Sequence, residues 1–212
     1  MIIAVDGPTA SGKGTIAKAL GKHFRLPHLD TGLLYRAVGY QVKLNGGNPN
    51  DEGDALKAAE IFPDELLGHP ALRSEETGGL ASRVSVHPQV REALFERQRA
   101  FAKQEGGAVL DGRDIGTVIA PDADIKLFVT ASVEARAKRR WQEMCDRGES
   151  HSLLEIEDDL RRRDERDRNR AAAPLVAAED AVMLDTSEMD RDAAVAKAIE
   201  IVNTLTGQLP CP

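Results

Sequence analysis

The chain has little of what several functional classes require. Aromatic residues make up 4% of its 212 positions, with one Trp, two Tyr and five Phe. They form no stacking ladder, which argues against single-stranded nucleic acid as a ligand. Positive charge is also scarce: 28 Lys and Arg stand against 35 Asp and Glu, a net charge of −7. Generic nucleic-acid binding needs a basic face, so only a local basic patch stays open. Cysteine occurs twice, as Cys145 and Cys211, and neither has a second Cys or a His at metal-like spacing. A zinc site is therefore not expected, and a reducing cytoplasm is. No apolar stretch approaches the ~20 residues a membrane span needs. The N-terminus lacks a basic segment before its short apolar run, so it reads as a strand rather than a signal peptide. The five histidines (His23, His28, His69, His87, His151) are scattered and join no Ser–His–Asp set. They read as surface or core residues.

What is present is concentrated at the start. Ile2-Ile3-Ala4-Val5 is a β-branched apolar run suited to a buried parallel strand. Asp6-Gly7-Pro8-Thr9-Ala10-Ser11-Gly12-Lys13-Gly14-Thr15 follows, and Ile16-Ala17-Lys18-Ala19-Leu20 continues as helix. Strand, glycine loop and helix in that order are the context of a phosphate-binding P-loop. Glycines let the backbone curl so that several N–H groups face one anion, and the helix N-terminus adds its positive dipole end. Lys13 is placed to reach β- and γ-phosphates. The residue after the lysine is usually Ser or Thr, a Mg²⁺ ligand. Here it is Gly14, with the hydroxyl one place later at Thr15. No direct protein ligand to metal is assigned.

Hydrophobic residues reach 42%, enough for a core, and the length suits one α/β domain with room for inserts. Strands are expected near 2–5, 25–29, 108–110, 124–130 and 181–185. Helices are expected near 13–24, 33–45, 132–147, 152–169 and 190–206, with helical pattern and no strand over 51–105. This alternation predicts a five-stranded parallel sheet between helices. Ligands of such sheets bind beyond the carboxyl ends of the strands. The P-loop, Asp30-Thr31-Gly32 and Asp111-Gly112-Arg113-Asp114 all stand there. The tail from Gln208 to Pro212 is expected to be loose.

A second concentration lies at 136–170, with eleven Arg or Lys and ten Asp or Glu. Part of it reads as a solvated helix with i,i+4 ion pairs such as Arg161 with Glu165. Arginine dominates over lysine, however, and its rigid fork suits phosphate. Helical spacing puts Arg163, Asp167 and Arg170 on one face. Arg140 and Arg166 are expected to form a second phosphate cluster across the turn. Helix, turn at 147–150 and arginine-rich helix look like a lid that closes over ATP.

With these segments in view the chain resembles the bacterial-type cytidylate kinases (CMP/dCMP kinases), P-loop enzymes of the nucleoside monophosphate kinase group. The resemblance covers nearly the whole length. It rests on Asp6-Gly7-Pro8 with Gly12-Lys13-Gly14-Thr15, Leu29-Asp30-Thr31-Gly32 with Tyr35-Arg36, Val90-Arg91-Glu92, Asp111-Gly112-Arg113-Asp114 with Gly116-Thr117, and Arg163 through Asn169-Arg170. It implies a P-loop kinase core (1–45, 106–145, 171–212), a nucleoside-monophosphate-binding insert (46–105) and a short arginine-rich lid (146–170). The insert is expected to be reduced and mostly helical. ATP and Mg²⁺ are the implied cofactors, and CMP or dCMP the acceptor, in a cytoplasmic monomer that binds no nucleic acid or membrane. Gly7 to Thr15 would bind ATP, with Lys13, Arg113, Arg140 and Arg166 catalytic. Arg36, Arg113 and Arg170 would hold the CMP phosphate, and Thr31 would sit at the sugar. Arg163 and Asp167 would contact ribose hydroxyls, while Ser82, Arg91 and Asp114 would read the base. Another small-molecule P-loop kinase, or a nucleotide-dependent switch, remains an alternative on residues alone.

Overall fold

The computed structural model describes residues 1–207; the expectations for Cys211 and for Gln208–Pro212 lie outside them. Five strands form one parallel sheet: β1 (Ile2–Asp6), β2 (His28–Asp30), β3 (Ala108–Gly112), β4 (Ile125–Thr130) and β5 (Val182–Asp185). Their order is β2-β3-β1-β4-β5. β1 is central, with Val5 in register with Asp111 on one side and Leu127 on the other. The apolar strand runs of the sequence follow from this. Ile3, Ala4, Val5, Val109 and Leu110 are fully buried, because helices cover both faces.

On one face α1 (Lys13–Phe24) packs beside α8 (Arg191–Thr206). Their Ile16, Leu20, Ala198 and Val202 meet Ile3, Val5, Val109 and Leu127. The other face is closed by Ala102 of α5 (Pro88–Ala102) and by a π-helical turn at Ile115–Ile119, against Ala4 and Leu110. A separate core joins α2 (Thr31–Leu44), α3 (Glu52–Ile61), α4 (Glu75–Val84) and α5 through Leu34, Val38, Ala55, Leu72, Val84 and Leu94. Two 3₁₀ turns, Asp64–Gly68 and Pro70–Arg73, link α3 to α4, so 51–105 is mostly helical and holds no strand, as its pattern predicts. α6 (Val133–Asp146) and α7 (Leu153–Asn169) pair through Ala137, Met144, Ile156 and Leu160.

Capping explains several boundaries. Asp51, Ser74, Ser132, Ser152 and Asp190 each accept an N–H from the first turn of α3, α4, α6, α7 and α8, and Ser152 with Glu155 forms a full capping box. α1 differs. It starts on Gly12, at φ 88°, with no side-chain cap. Its first N–H groups are left facing the loop.

The structure departs from the sequence reading in three places. β2 starts at His28 rather than Arg25, because Arg25 closes α1 at φ 56° and donates its N–H to Gly21, and Pro27 has no N–H. The turn at 115–119 was not foreseen. It forms because the buried Asp6 carboxylate accepts the N–H groups of Ile115 and Gly116 at 2.9 and 2.8 Å. Arg161 pairs with Glu157 and Glu134 rather than with Glu165.

Gly7 has φ 153°, and a Cβ there would lie 2.0 Å from the carbonyl oxygen of Val129. Gly7→Ala must therefore displace β4 or the loop. We expect a loss of about 3 kcal/mol in urea unfolding, together with lost nucleotide binding. Stability within ~0.5 kcal/mol of wild type would show that the loop tolerates the side chain.

Candidate active site

Two cavities open at the carboxyl edge of the sheet. The first, about 620 Å³, is lined by Ala10 to Ile16 of the loop and α1, by Asp30, by Arg139, Arg140 and Glu143 of α6, and by Thr186, Met189, Asp190, Arg191 and Ala194. The second, about 90 Å³, is lined among others by Thr9, Thr31, Tyr35, Arg36, Ser82, Arg91, Arg113, Asp114, Arg163, Asp167 and Arg170. All nine residues expected on the acceptor side thus share one cavity. Of the loop residues, Ala10 to Thr15 face the first cavity and Thr9 the second. Gly7 and Pro8 line neither; they shape the turn, and the Pro8 carbonyl accepts the Lys13 ammonium at 3.3 Å.

Arg113 lines the second cavity and reaches the P-loop, close enough for its charge to act on Lys13 of the first. Its Nη2 donates to Thr9 Oγ1 at 2.6 Å and its Nε to Asp167 Oδ2 at 2.9 Å, so it ties the P-loop to α7. Arg136, buried, does the same from α6: it donates in a fork to Asp164 at 3.0 and 2.5 Å and to the Thr9 carbonyl at 3.1 Å. Asp114 pairs with Arg91 and, at 3.2 Å, with Arg170. These ion pairs fill the second cavity, which explains its small free volume. Arg91 also lies over the Tyr35 ring, 5.6 Å from its centroid. Thr31 donates its hydroxyl to the Asp111 carbonyl at 2.8 Å.

The electrostatics follow from burial. Lys13 is pushed down to about 8, first by loss of water and then by the Arg113 charge. Asp111 and Asp30 oppose that shift, and Asp30 is itself raised by burial and by Asp111. Burial raises Asp6 to about 6 despite its two backbone hydrogen bonds. Arg140 falls to about 10 through burial and the nearby Arg163 and Arg36. The Ser11 hydroxyl is buried without a protein partner, at the loop lining the first cavity. Uncapped N–H groups, a loop lysine and an orphaned hydroxyl form an anion site, and the second cavity is a polar pocket rich in arginine.

A family model described as Cytidylate kinase matches residues 3–204. The chain belongs to the cytidylate kinase family. A cytidylate kinase of Cereibacter sphaeroides is 55% identical over 206 residues, covering 97% of each chain. One from a Caulobacter species is 54% identical over 203 residues, covering 96% of this chain and 94% of that one. Among solved structures, an uncharacterized protein from Eubacterium ventriosum is similar in fold, with a TM-score of 0.55 at 16% identity over 96% of this chain and 98% of that one.

In this cytidylate kinase family member, one expected grouping is absent. Arg140 and Arg166 do not form a shared cluster. Arg140 lines the P-loop cavity and pairs with Glu75, whereas Arg166 donates to Ser82 Oγ at 2.5 Å on α4. Partner choice is the reason: Arg166 shares the stripe of Arg163, Asp167 and Arg170 on α7, but its guanidinium is taken up by Ser82, whereas Arg140, on α6, is taken up by Glu75. Sequence reasoning also passed over Arg139, Thr186 and Met189. Arg139 donates to Thr186 Oγ1 at 3.0 Å and the Met189 carbonyl at 3.2 Å, and Thr186 donates to the Ser11 carbonyl at 3.0 Å. The rule that ligands gather beyond strand ends, applied to β5, pointed to Thr186. Asp6, Asp30 and Asp111 were read as motif residues without a role.

The Lys13 shift has a testable sign. Activity that needs the ammonium should fall as pH rises through about 8 in kcat/KM for ATP. The limb should lie higher in kcat, where bound phosphate favours the charged form. Stability behaves oppositely. The folded pKa lies below the unfolded 10.5, so the unfolded chain binds more protons between about 8 and 10.5. The Lys13 contribution therefore rises with pH across that window and is lost as pH falls through about 8. Urea titrations of wild type and Lys13→Met over this range check it; parallel pH curves for the two would show an unperturbed lysine.

Proposed function

We propose that the chain moves the γ-phosphoryl group of ATP onto the phosphate of CMP or dCMP, giving ADP and CDP or dCDP. The observation that carries this reading is the pair of cavities at one sheet edge, one built on the P-loop and one lined by arginines around Asp114, with Arg113 of the second bonded to Thr9 of the loop. The acceptor phosphate is already a nucleophile, so no strong base is needed. The site has to bring two polyanions together and offset the charge that spreads over the transferring oxygens. Lys13 and the N–H groups of α1 hold the donor phosphates, with Arg139, Arg140 and Thr186 beside them. Arg36, Arg113 and Arg170 hold the acceptor phosphate, Thr31 lies at the sugar, and Arg163 and Asp167 meet its hydroxyls. Arg113, which lines the second cavity and reaches the P-loop, is best placed to follow the charge as it moves. Arg166 acts through Ser82.

No group of three or more His, Cys, Asp or Glu suited to holding a metal occurs among the described residues. Mg²⁺ accordingly fits as an ion that arrives on the nucleotide phosphates, with the Thr15 hydroxyl and nearby carboxylates available to its waters. When bound it neutralises phosphate oxygens. Residues 46–105 serve as the acceptor-binding insert and 146–170 as the lid, with the turn around Gly148, at φ 76°, as hinge. No helix among the described residues is long and apolar enough to cross a membrane, and the nucleotide substrates favour the cytoplasm.

Base choice rests on Asp114, Arg91 and Ser82. Cytosine has an amino donor at N4 and acceptors at N3 and O2. Asp114 accepts, and Arg91 donates, once the base parts their direct pair. Uracil reverses both edges, and opposed polar groups of this kind discriminate by roughly 10²–10⁴. Asp114→Ala should lower kcat/KM for CMP far more than for UMP and narrow their ratio. An unchanged ratio would leave Asp114 as scaffold for Arg91 and Arg170. Lys13→Ala, measured at saturating CMP, should lose about 10²–10³ in rate while the far-UV spectrum holds. Near-normal turnover in a folded variant would move the reaction away from this loop.

A further inference from the structure

Glu75, the first residue of α4, lies outside both cavities and yet binds one arginine from each. Its carboxylate pairs with Arg140, which lines the P-loop cavity, and approaches Arg163 of the second cavity at 3.8 Å. These three residues sit in the cleft between α4 and α7. Arg36 is close by. It donates to the carbonyls of Leu72 and Ser74, and a Cβ on Gly78 would lie 3.0 Å from Arg36 Nη2 and 3.4 Å from Arg163 Nη1. Three guanidinium groups thus converge on the first turn of α4, and Glu75 is the carboxylate in their midst.

We infer that Glu75 is an internal stand-in for substrate phosphate, holding Arg140 and Arg163 together and α7 against α4 until an incoming phosphate displaces it. The inference rests on the kinase reading above. Its physics is like-charge repulsion. Burial lowers the proton affinity of all three guanidinium groups; beyond that, the Arg163 charge lowers Arg36 and Arg140, the Arg36 charge lowers Arg140, and Arg113 lowers Arg36 and Arg163. Without an anion these groups repel. Among the described residues Arg140 has no other ion-pair partner, whereas Arg163 keeps Asp159 at 2.9 Å when Glu75 leaves. A phosphate on Arg140 supplies the missing charge and then repels Glu75. The Glu75 side chain is about a quarter exposed although its Oε1 is buried, so a turn of the side chain takes the carboxylate out to water. At the N-terminus of α4 it still interacts favourably with the helix dipole after it turns away. The contact therefore has two consequences. It keeps the arginines assembled in the free enzyme, and it competes with substrate for them.

The chain carries its own control. Glu76, the next residue, pairs with Lys43 at 2.6 Å on the exposed surface and meets none of the arginines of the site. Steady-state kinetics with ATP and CMP, and hydrogen exchange without nucleotide, should be compared for wild type, Glu75→Gln and Glu76→Gln. Glu75→Gln should lower the KM for ATP by roughly three- to tenfold and leave kcat within about twofold, since a competing contact is removed while the transferring groups stay. Amides of α4 and of 146–170 should exchange faster in Glu75→Gln than in wild type without nucleotide, and equally once ATP and CMP are bound. Glu76→Gln should match wild type in both measurements. Glu75→Ala repeats the test without a polar side chain. A KM for ATP that is unchanged or raised in Glu75→Gln, or exchange equal to wild type in the free enzyme, would overturn the inference. Failure of the kinase reading is distinguishable: wild type would then phosphorylate no CMP, and the exchange comparison in the free protein would still decide whether Glu75 holds α7.

Discussion

Mutual repulsion among buried positive groups is the constraint on which the site depends. Arg36, Arg91, Arg113, Arg140, Arg163, Arg170 and Lys13 are gathered at one edge of the sheet, shielded from much of the water that would otherwise screen them. The fold holds them with carboxylates from several elements: Asp114 after β3, Asp167 and Asp159 on α7, Glu75 on α4. Each such pair is a compromise. It must be firm enough to keep the guanidinium groups in place and weak enough to yield to a phosphate, which is a stronger and more highly charged acceptor. A site built of tight, fully desolvated pairs would be rigid and inert. The partial exposure of Glu75, Asp159 and Arg113 keeps their pairs on the yielding side, whereas Asp114 with Arg91 and Arg170 is buried and held more firmly.

The same constraint explains the helix arrangement. β1 occupies the middle of the sheet, so the P-loop emerges with polar strand ends on both sides: Asp111 and Arg113 at the end of the adjacent β3, and Thr186 after β5, one strand beyond β4. Arg136 and Arg113 then fasten α7 to that loop from two directions, through Asp164 and Asp167, one helical turn apart. A displacement of α7 is thereby felt at Thr9, which receives both arginines, one at its carbonyl and one at its hydroxyl.

Much of this was legible in the sequence, because the decisive signals are local. The glycine loop between strand and helix, the alternation of apolar runs and caps, and the 3.6-residue period of Arg163, Asp167 and Arg170 needed no tertiary information. The helical character of 51–105 was readable from the lack of any alternating run. What could not be read was partner choice. Arg140 and Arg166 look equivalent in a charge count, yet their partners, Glu75 and Ser82, come from a helix more than sixty residues earlier in the chain. The turn at 115–119 depends on a carboxylate more than a hundred residues away. Thr186 follows a short strand with two of its four residues exposed, and only its closeness to Ser11 reveals it. Long-range pairing of polar side chains leaves no periodic trace.

The bare start of α1 has one more implication. Five helices close their first turn with a side chain of their own; α1, α2 and α5 do not, and of these α1 starts on a left-handed glycine, Gly12, in the glycine loop. A bound phosphate would complete the first turn of α1. The finished form of this helix would then be a chain with its cargo, and its conformational stability would track the nucleotide concentration around it by mass action. In nucleotide-depleted surroundings the element beside the central strand would be the least complete part of the sheet's cover.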